Sequence, residues 1–183
     1  MSKIDVILII IFIIINFMLY DLTFKRIGKG IPFKDHNTRK CAVNMVLSSM
    51  DSSIDSNVIR QYVIKFHGIH GLPSIKFKHM ASKLLPCLNY YPLFFNNHMK
   101  HAMGYVVPNY SKKHIYINDD YWKELPIQEK SILLIHECTH LMLETQDYAY
   151  MHEDHYWNLR GKQARFNADT ITGIINDLNE YKC

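Results

Sequence analysis

His136-Glu137-Cys138-Thr139-His140 decides how this chain is read. Pro126 suits the first turn of a helix, and the residues after it, to about Glu144, hold no further breaker. In a helix, positions i and i+4 share one face, so His136 and His140 can meet a single metal ion. Glu137 lies beside them, placed to act as the base that activates a water molecule. Cys138, two positions on from His136, points away from that face and reads as a buried apolar residue rather than a ligand.

Hydrolytic zinc sites use three protein ligands and one open position, so a third ligand is needed. The metzincin pattern would place a histidine six residues after His140, and that position is Gln146. Three candidates remain. Glu144 follows His140 by one turn. Glu153 lies further on. Asp147, in Thr145-Gln146-Asp147-Tyr148-Ala149-Tyr150, follows the helix closely enough for the chain to turn back towards the metal.

The surrounding pattern is α+β, mostly helical with a small sheet. Helices are expected over 38–50, 54–66, 74–85, 152–164 and 168–179. In the last of these, Ile171, Ile174, Ile175 and Leu178 recur at helical spacing. Short strands are expected over 103–107 and 113–118. Residues 6–20 are almost wholly apolar, so 1–22 reads as a signal anchor or signal peptide that contacts the membrane through residues 4–22. A linker over 23–35 leads to a domain of residues 36–183. That domain is expected on the lumenal or extracellular side, either membrane-anchored or secreted. In an oxidising compartment Cys41 and Cys87 are candidates to pair.

Composition narrows the function. The net charge is +4, and the 21 Lys and Arg residues are spread along the chain, which is no nucleic-acid footprint. None of the four cysteines forms a CxxC pair, which argues against a structural zinc knuckle. Of the eleven histidines, those outside 136–140 follow no ligand spacing, and the pair His152 and His155 reads as a solvated helix face.

Thr145-Gln146-Asp147-Tyr148-Ala149-Tyr150 resembles the GTxDxxYG signature of the aspzincins, the family of deuterolysin and the fungal peptidyl-Lys metalloendopeptidases. Asn167-Ala168-Asp169 is similar to a downstream Asn-Ala-Asp in that family. Tyr105–Asn109, Ile115–Ile117 and Trp122-Lys123 resemble the strands and linker before its zinc helix. The resemblance spans about residues 103–175, and more loosely 38–100. It implies a zincin-like fold with one catalytic zinc ion held by His136, His140 and Asp147. Glu137 becomes the general base, and Tyr150 the residue that stabilises the oxyanion. It further implies a peptide or protein substrate, with Asp169 contacting a substrate lysine. Three positions depart from the family: its two glycines are Glu144 and Met151 here, and the second carboxylate of its lysine-reading pair is Thr172. The expected activity is zinc endopeptidase. The alternatives are a non-catalytic, membrane-anchored interaction domain on the same fold, and a zinc amidase or deacylase with the same metal chemistry.

Overall fold

The stretch that carries the histidine pair folds as one helix, Ile127–Leu143, in a computed structural model. The structure describes residues 30–51, 74–96, 102–107, 113–179 and 183. The chain divides into a unit of residues 1–31 and one of residues 32–183. The elements below belong to the second, with the first residue of β1 at the boundary. In chain order they are β1 (Ile31–Phe33), α1 (His36–Ser49), α2 (Ser74–Ser82), α3 (Leu85–Tyr90), β2 (Leu93–Phe95), β3 (Gly104–Val106) and β4 (Ile115–Ile117). There follow α4 (Asp119–Glu124), α5 (Ile127–Leu143), a 3-10 turn (Asp154–Asn158), α6 (Gly161–Arg165) and α7 (Ala168–Asp177). The class is α+β, as the sequence pattern implied.

Helix α5 is the centre of the fold. It packs against α1, α3 and α7, and against β3 and β4. Leu134, Ile135 and Cys138 are buried, as are Met45 and Val46 of α1 and Ile171, Ile174 and Ile175 of α7. Each such leucine, isoleucine, valine or methionine side chain contributes about 1.5–3 kcal/mol when fully buried. The sheet has the order β1-β2-β4-β3. Strand β4 is buried at all three residues. It pairs in parallel with β2 (Leu93 opposite Ile115) and antiparallel with β3 (Gly104 opposite Ile117). That order leaves β3 at the edge of the sheet, against α5.

Several expectations change. Cys41 does not pair with Cys87. The bonds are Cys41–Cys183 and Cys87–Cys138, with Cα atoms 5.7 and 5.8 Å apart. The reason is packing: Cys87 on α3 faces α5, and Cys138 is the buried residue it meets. The helix expected over 74–85 stops at Ser82, and Pro86 sits in the first turn of α3, where its missing N–H costs nothing. The single helix expected over 152–164 is a 3-10 turn followed by the short α6, separated at Leu159 and Arg160. Strand β1 occupies the end of the stretch read as a linker, and β2 was not anticipated. Among the described residues no helix is long and apolar enough to cross a membrane. The apolar run at 4–22 and the helix expected over 54–66 lie outside the described residues.

Helix α5 ends on Glu144, whose φ of 55° and ψ of 35° are left-handed. Among the described residues it is the one non-glycine residue with positive φ. This is one of the two places where the resemblance implies glycine. At the other, Met151, no such conformation is needed. A left-handed conformation costs an L-residue about 1–2 kcal/mol, part of which glycine gives back as extra freedom in the unfolded chain. Glu144→Gly is therefore expected to stabilise the domain by about 0.5–1 kcal/mol and raise Tm by about 2 °C, measured by thermal unfolding. A lower Tm would mean that the Glu144 side chain contributes more than its backbone costs.

Candidate metal centre

His136 and His140 lie one turn apart on α5, with ring centroids 4.9 Å apart. Their Nε2 atoms are separated by 3.2 Å. Asp147 Oδ1 sits 3.2 Å from His136 Nε2 and 3.3 Å from His140 Nε2. Three donor atoms thus form a nearly equilateral triangle. Ligands at 2.0–2.1 Å from one tetrahedral zinc stand about 3.3–3.4 Å apart, so the triangle has the size of a zinc face. Among the described residues these three form the one group of His, Cys, Asp and Glu able to hold a metal ion.

The other ring nitrogens are also engaged. His136 Nδ1 lies 2.8 Å from Asp169 Oδ1. His140 Nδ1 lies 2.9 Å from the Thr145 carbonyl, to which it donates. Partners at both Nδ1 atoms fix the two rings and turn both Nε2 atoms towards Asp147, the arrangement that sets ring orientation in metal sites.

Asp147 reaches the histidines because the chain folds back after α5. Left-handed Glu144 ends the helix, and Thr145 returns beneath it, with its hydroxyl 2.7 Å from that of Thr139. Gln146 then forms a parallel bridge with Asn167: Gln146 N–H donates to Phe166 O at 2.8 Å, and Ala168 N–H to Gln146 O at 3.0 Å. Asn167, fully buried, fastens the next turn. Its Oδ1 accepts from the Tyr148 and Ala149 amides at 2.9 and 3.2 Å, and its Nδ2 donates to Ala149 O at 2.9 Å. Beyond that clamp, Tyr150 stacks near His136, centroids 6.3 Å apart and planes 19° apart.

Glu137 is 3 % exposed and points between α5 and β3. A Cβ built on Gly104 would lie 2.8 Å from Glu137 Oε1, so glycine at 104 is what leaves room for the carboxylate. Glu137 Oε2 is buried without a protein partner. An open cleft of about 690 Å³ runs past these groups, with Gly104, Glu137, His140, Asp147, Tyr150 and Asp169 on its walls.

No family model matches the chain, and no curated protein does. A solved structure does. The fold is similar to that of a zinc peptidase from Grifola frondosa. The two are 18% identical, with a TM-score of 0.62, and the match covers 77% of this chain and 91% of the Grifola frondosa chain. At that identity the likeness to the Grifola frondosa zinc peptidase is one of fold, and the chemistry rests on the side chains of this chain.

Those side chains are strongly coupled. Burial alone would lower the pKa of His136, but hydrogen bonds to Asp147 and Asp169 and the charge of Glu137 outweigh it and lift the metal-free value to about 10. His140 is raised in the same way: burial is outweighed by Asp147 and the Thr145 carbonyl. Asp147 is lowered, since the two imidazoles outweigh its own partial burial. Burial pushes Glu137 up to about 7, against the pull of His136 and His140. Tyr150 rises to about 12 through burial and its contacts with Asp147.

The structure brings His136, Glu137, His140, Asp147, Tyr150 and Asp169 to one cleft. The other two candidate ligands stay outside it. Glu144 faces solvent, and Glu153 accepts from the Tyr150 amide at 2.7 Å. Asp169, expected at a substrate lysine, has partners on both oxygens: His136 on one, and the Met151 amide at 2.7 Å on the other. Thr145, Asn167 and Gly104 were not anticipated as parts of the site. A lone glycine within a strand signals a close approach of another group, and Gly104 was readable in that way. Nothing local to Thr145 or Asn167 marks the partners they meet.

Proposed function

We propose that the chain is a zinc-dependent endopeptidase of the aspzincin kind. The observation that carries this is the triangle of His136, His140 and Asp147 donor atoms, with a buried, partnerless carboxylate oxygen of Glu137 beside it in an open cleft. In this reading the triangle holds one zinc ion. When bound, zinc lowers the pKa of a water molecule to about 7 and polarises a carbonyl. Glu137 takes the proton of the attacking water and returns it to the leaving amine. Tyr150, a phenol held beside His136, donates to the developing oxyanion. Asp169, with His136 on one oxygen and the Met151 amide on the other, keeps His136 oriented. The two disulfides fit an oxidising compartment and a secreted or extracellular domain.

The test is cleavage of an unfolded protein by the purified full chain, mapped by mass spectrometry. Cuts should vanish with a chelator and return with zinc. A folded, zinc-loaded protein that makes no cuts on several substrates would overturn the peptidase reading in favour of a non-catalytic domain.

Zinc loading has its own signature. Near pH 7 the metal-free His136 carries a proton, because its pKa lies above 7, and the ion displaces it. Binding should therefore release about one proton or more per ion, and affinity should weaken as pH falls. Calorimetry in two buffers of different ionisation enthalpy reads this directly. Identical heats in both buffers would show that the site binds without losing a proton.

A further inference from the structure

We infer that the cleft selects an apolar side chain next to the scissile bond, and that Leu133 is the residue that reads it; this rests on the peptidase reading above. Four carboxylates line the cleft: Glu129, Glu137, Asp147 and Asp169. Three are committed. Asp147 faces both imidazoles, Asp169 holds His136 and the Met151 amide, and Glu137 is buried against Gly104. Thr172, where a second acidic group would be needed to read lysine, is itself buried in α7 and does not line the cleft.

The fourth carboxylate lies further along the helix from the metal ligands than Leu133 does. Glu129 precedes His136 by seven residues, about 10.5 Å along the axis at 1.5 Å per residue. Leu133 precedes His136 by three residues, about 4.5 Å. A substrate side chain entering beside the metal ligands therefore meets Leu133 first. The wall around it is apolar: Ile132 on the same helix, Leu125 before it, and Val106 on the facing strand β3. All are half-buried, so their apolar surface remains open to a ligand. A lysine ammonium lodged there would give up water to apolar walls, with the Glu129 carboxylate a further turn away along the helix, whereas leucine, isoleucine, methionine or phenylalanine replaces water with apolar contact.

Two measurements test this. In the first, the zinc-loaded full chain is given a mixture of peptides with randomised sequence, and cuts are mapped by mass spectrometry. Large apolar residues should be enriched on one side of the cut, with kcat/KM tenfold or more above that for lysine. In the second, two peptides that differ only as leucine or lysine at the preferred position are titrated into the zinc-loaded Glu137→Gln protein. The leucine peptide should bind at least tenfold tighter. Leu133→Ala should flatten that ratio, and Leu133→Asp should reverse it, with zinc content and far-UV circular dichroism unchanged in the variant that is scored. Cuts beside lysine or arginine, or a ratio that ignores Leu133, would overturn the inference and leave the peptidase reading intact. Leucine-selective binding without any cleavage by the native chain would do the reverse.

Discussion

Glutamine in place of Glu137 is expected to lower kcat/KM by on the order of 10²–10⁴-fold while leaving one zinc ion bound. The substitution is nearly isosteric, and the residue is 3 % exposed and packed against Gly104, so the fold should barely notice it. None of the three donor atoms of the triangle belongs to Glu137, so metal content should hold. What disappears is the proton acceptor. In the metal-free protein burial holds this carboxyl near 7. A divalent cation beside it favours the carboxylate and moves the value down. The native protein should therefore lose activity as pH falls through a pKa below about 7, and the glutamine variant should lack that limb. Turnover measured against pH, with zinc counted by mass spectrometry, separates the two roles open to Glu137. Lost zinc would make it a structural support of the metal, and retained activity would remove it from the chemistry.

The parts of this molecule that were legible in the sequence share one physical property: their signal is local and periodic. Helix α5 has an i, i+4 histidine pair and an apolar face, and α7 with its C-cap Leu178 has four apolar residues at 3.6-residue spacing. Both fold as helices, with Leu134, Ile135 and Cys138 of α5 and Ile171, Ile174 and Ile175 of α7 buried, while Ile127 at the start of α5 is exposed and Leu141 and Met142 are half-buried. Strands β3 and β4 carry enough β-branched and aromatic residues to be found within a residue or two. The parts that were not legible depend on which distant residue arrives. Cys87 meets Cys138 because α3 packs on α5, a contact that no cysteine spacing encodes. The stretch from 152 to 164 has helical composition, yet the chain breaks at Leu159 and Arg160 before Gly161 enters with φ of 53°. Asp169 is the sharpest case. Its place after Asn167-Ala168 suggested contact with substrate, but its partners are His136, 33 positions earlier, and the Met151 amide, and only the fold sets that pairing.

Asn167→Ala should weaken zinc binding by about 10–100-fold or more and lower Tm by about 10 °C. The side chain is fully buried, and its amide makes hydrogen bonds on both ends: two accepted from Tyr148 and Ala149, and two donated, to Ala149 O and to Thr170 Oγ1 at 3.3 Å. Alanine would strand the Tyr148 and Ala149 amides and the Ala149 carbonyl, each at about 1–3 kcal/mol if it stays dry. The turn is expected to relax and not to bear that cost, for a total loss of about 3–5 kcal/mol. Because Asp147 and Tyr150 flank the clamped residues, relaxation removes one corner of the metal triangle and the phenol beside it together. The histidines, held by α5, stay in place, so a weak two-histidine site should remain rather than none. Asn167→Asp discriminates further. It keeps the acceptor for the two amides and loses the donor, and it adds a charge near Asp169. It should therefore cost stability while retaining more zinc affinity than alanine does. Competition with a chromogenic chelator gives the affinities, and thermal unfolding with and without zinc gives the stabilities. If the alanine variant binds zinc as tightly as the native chain, the loop is held by its backbone bridge at Gln146 alone, and Asn167 has no part in placing Asp147.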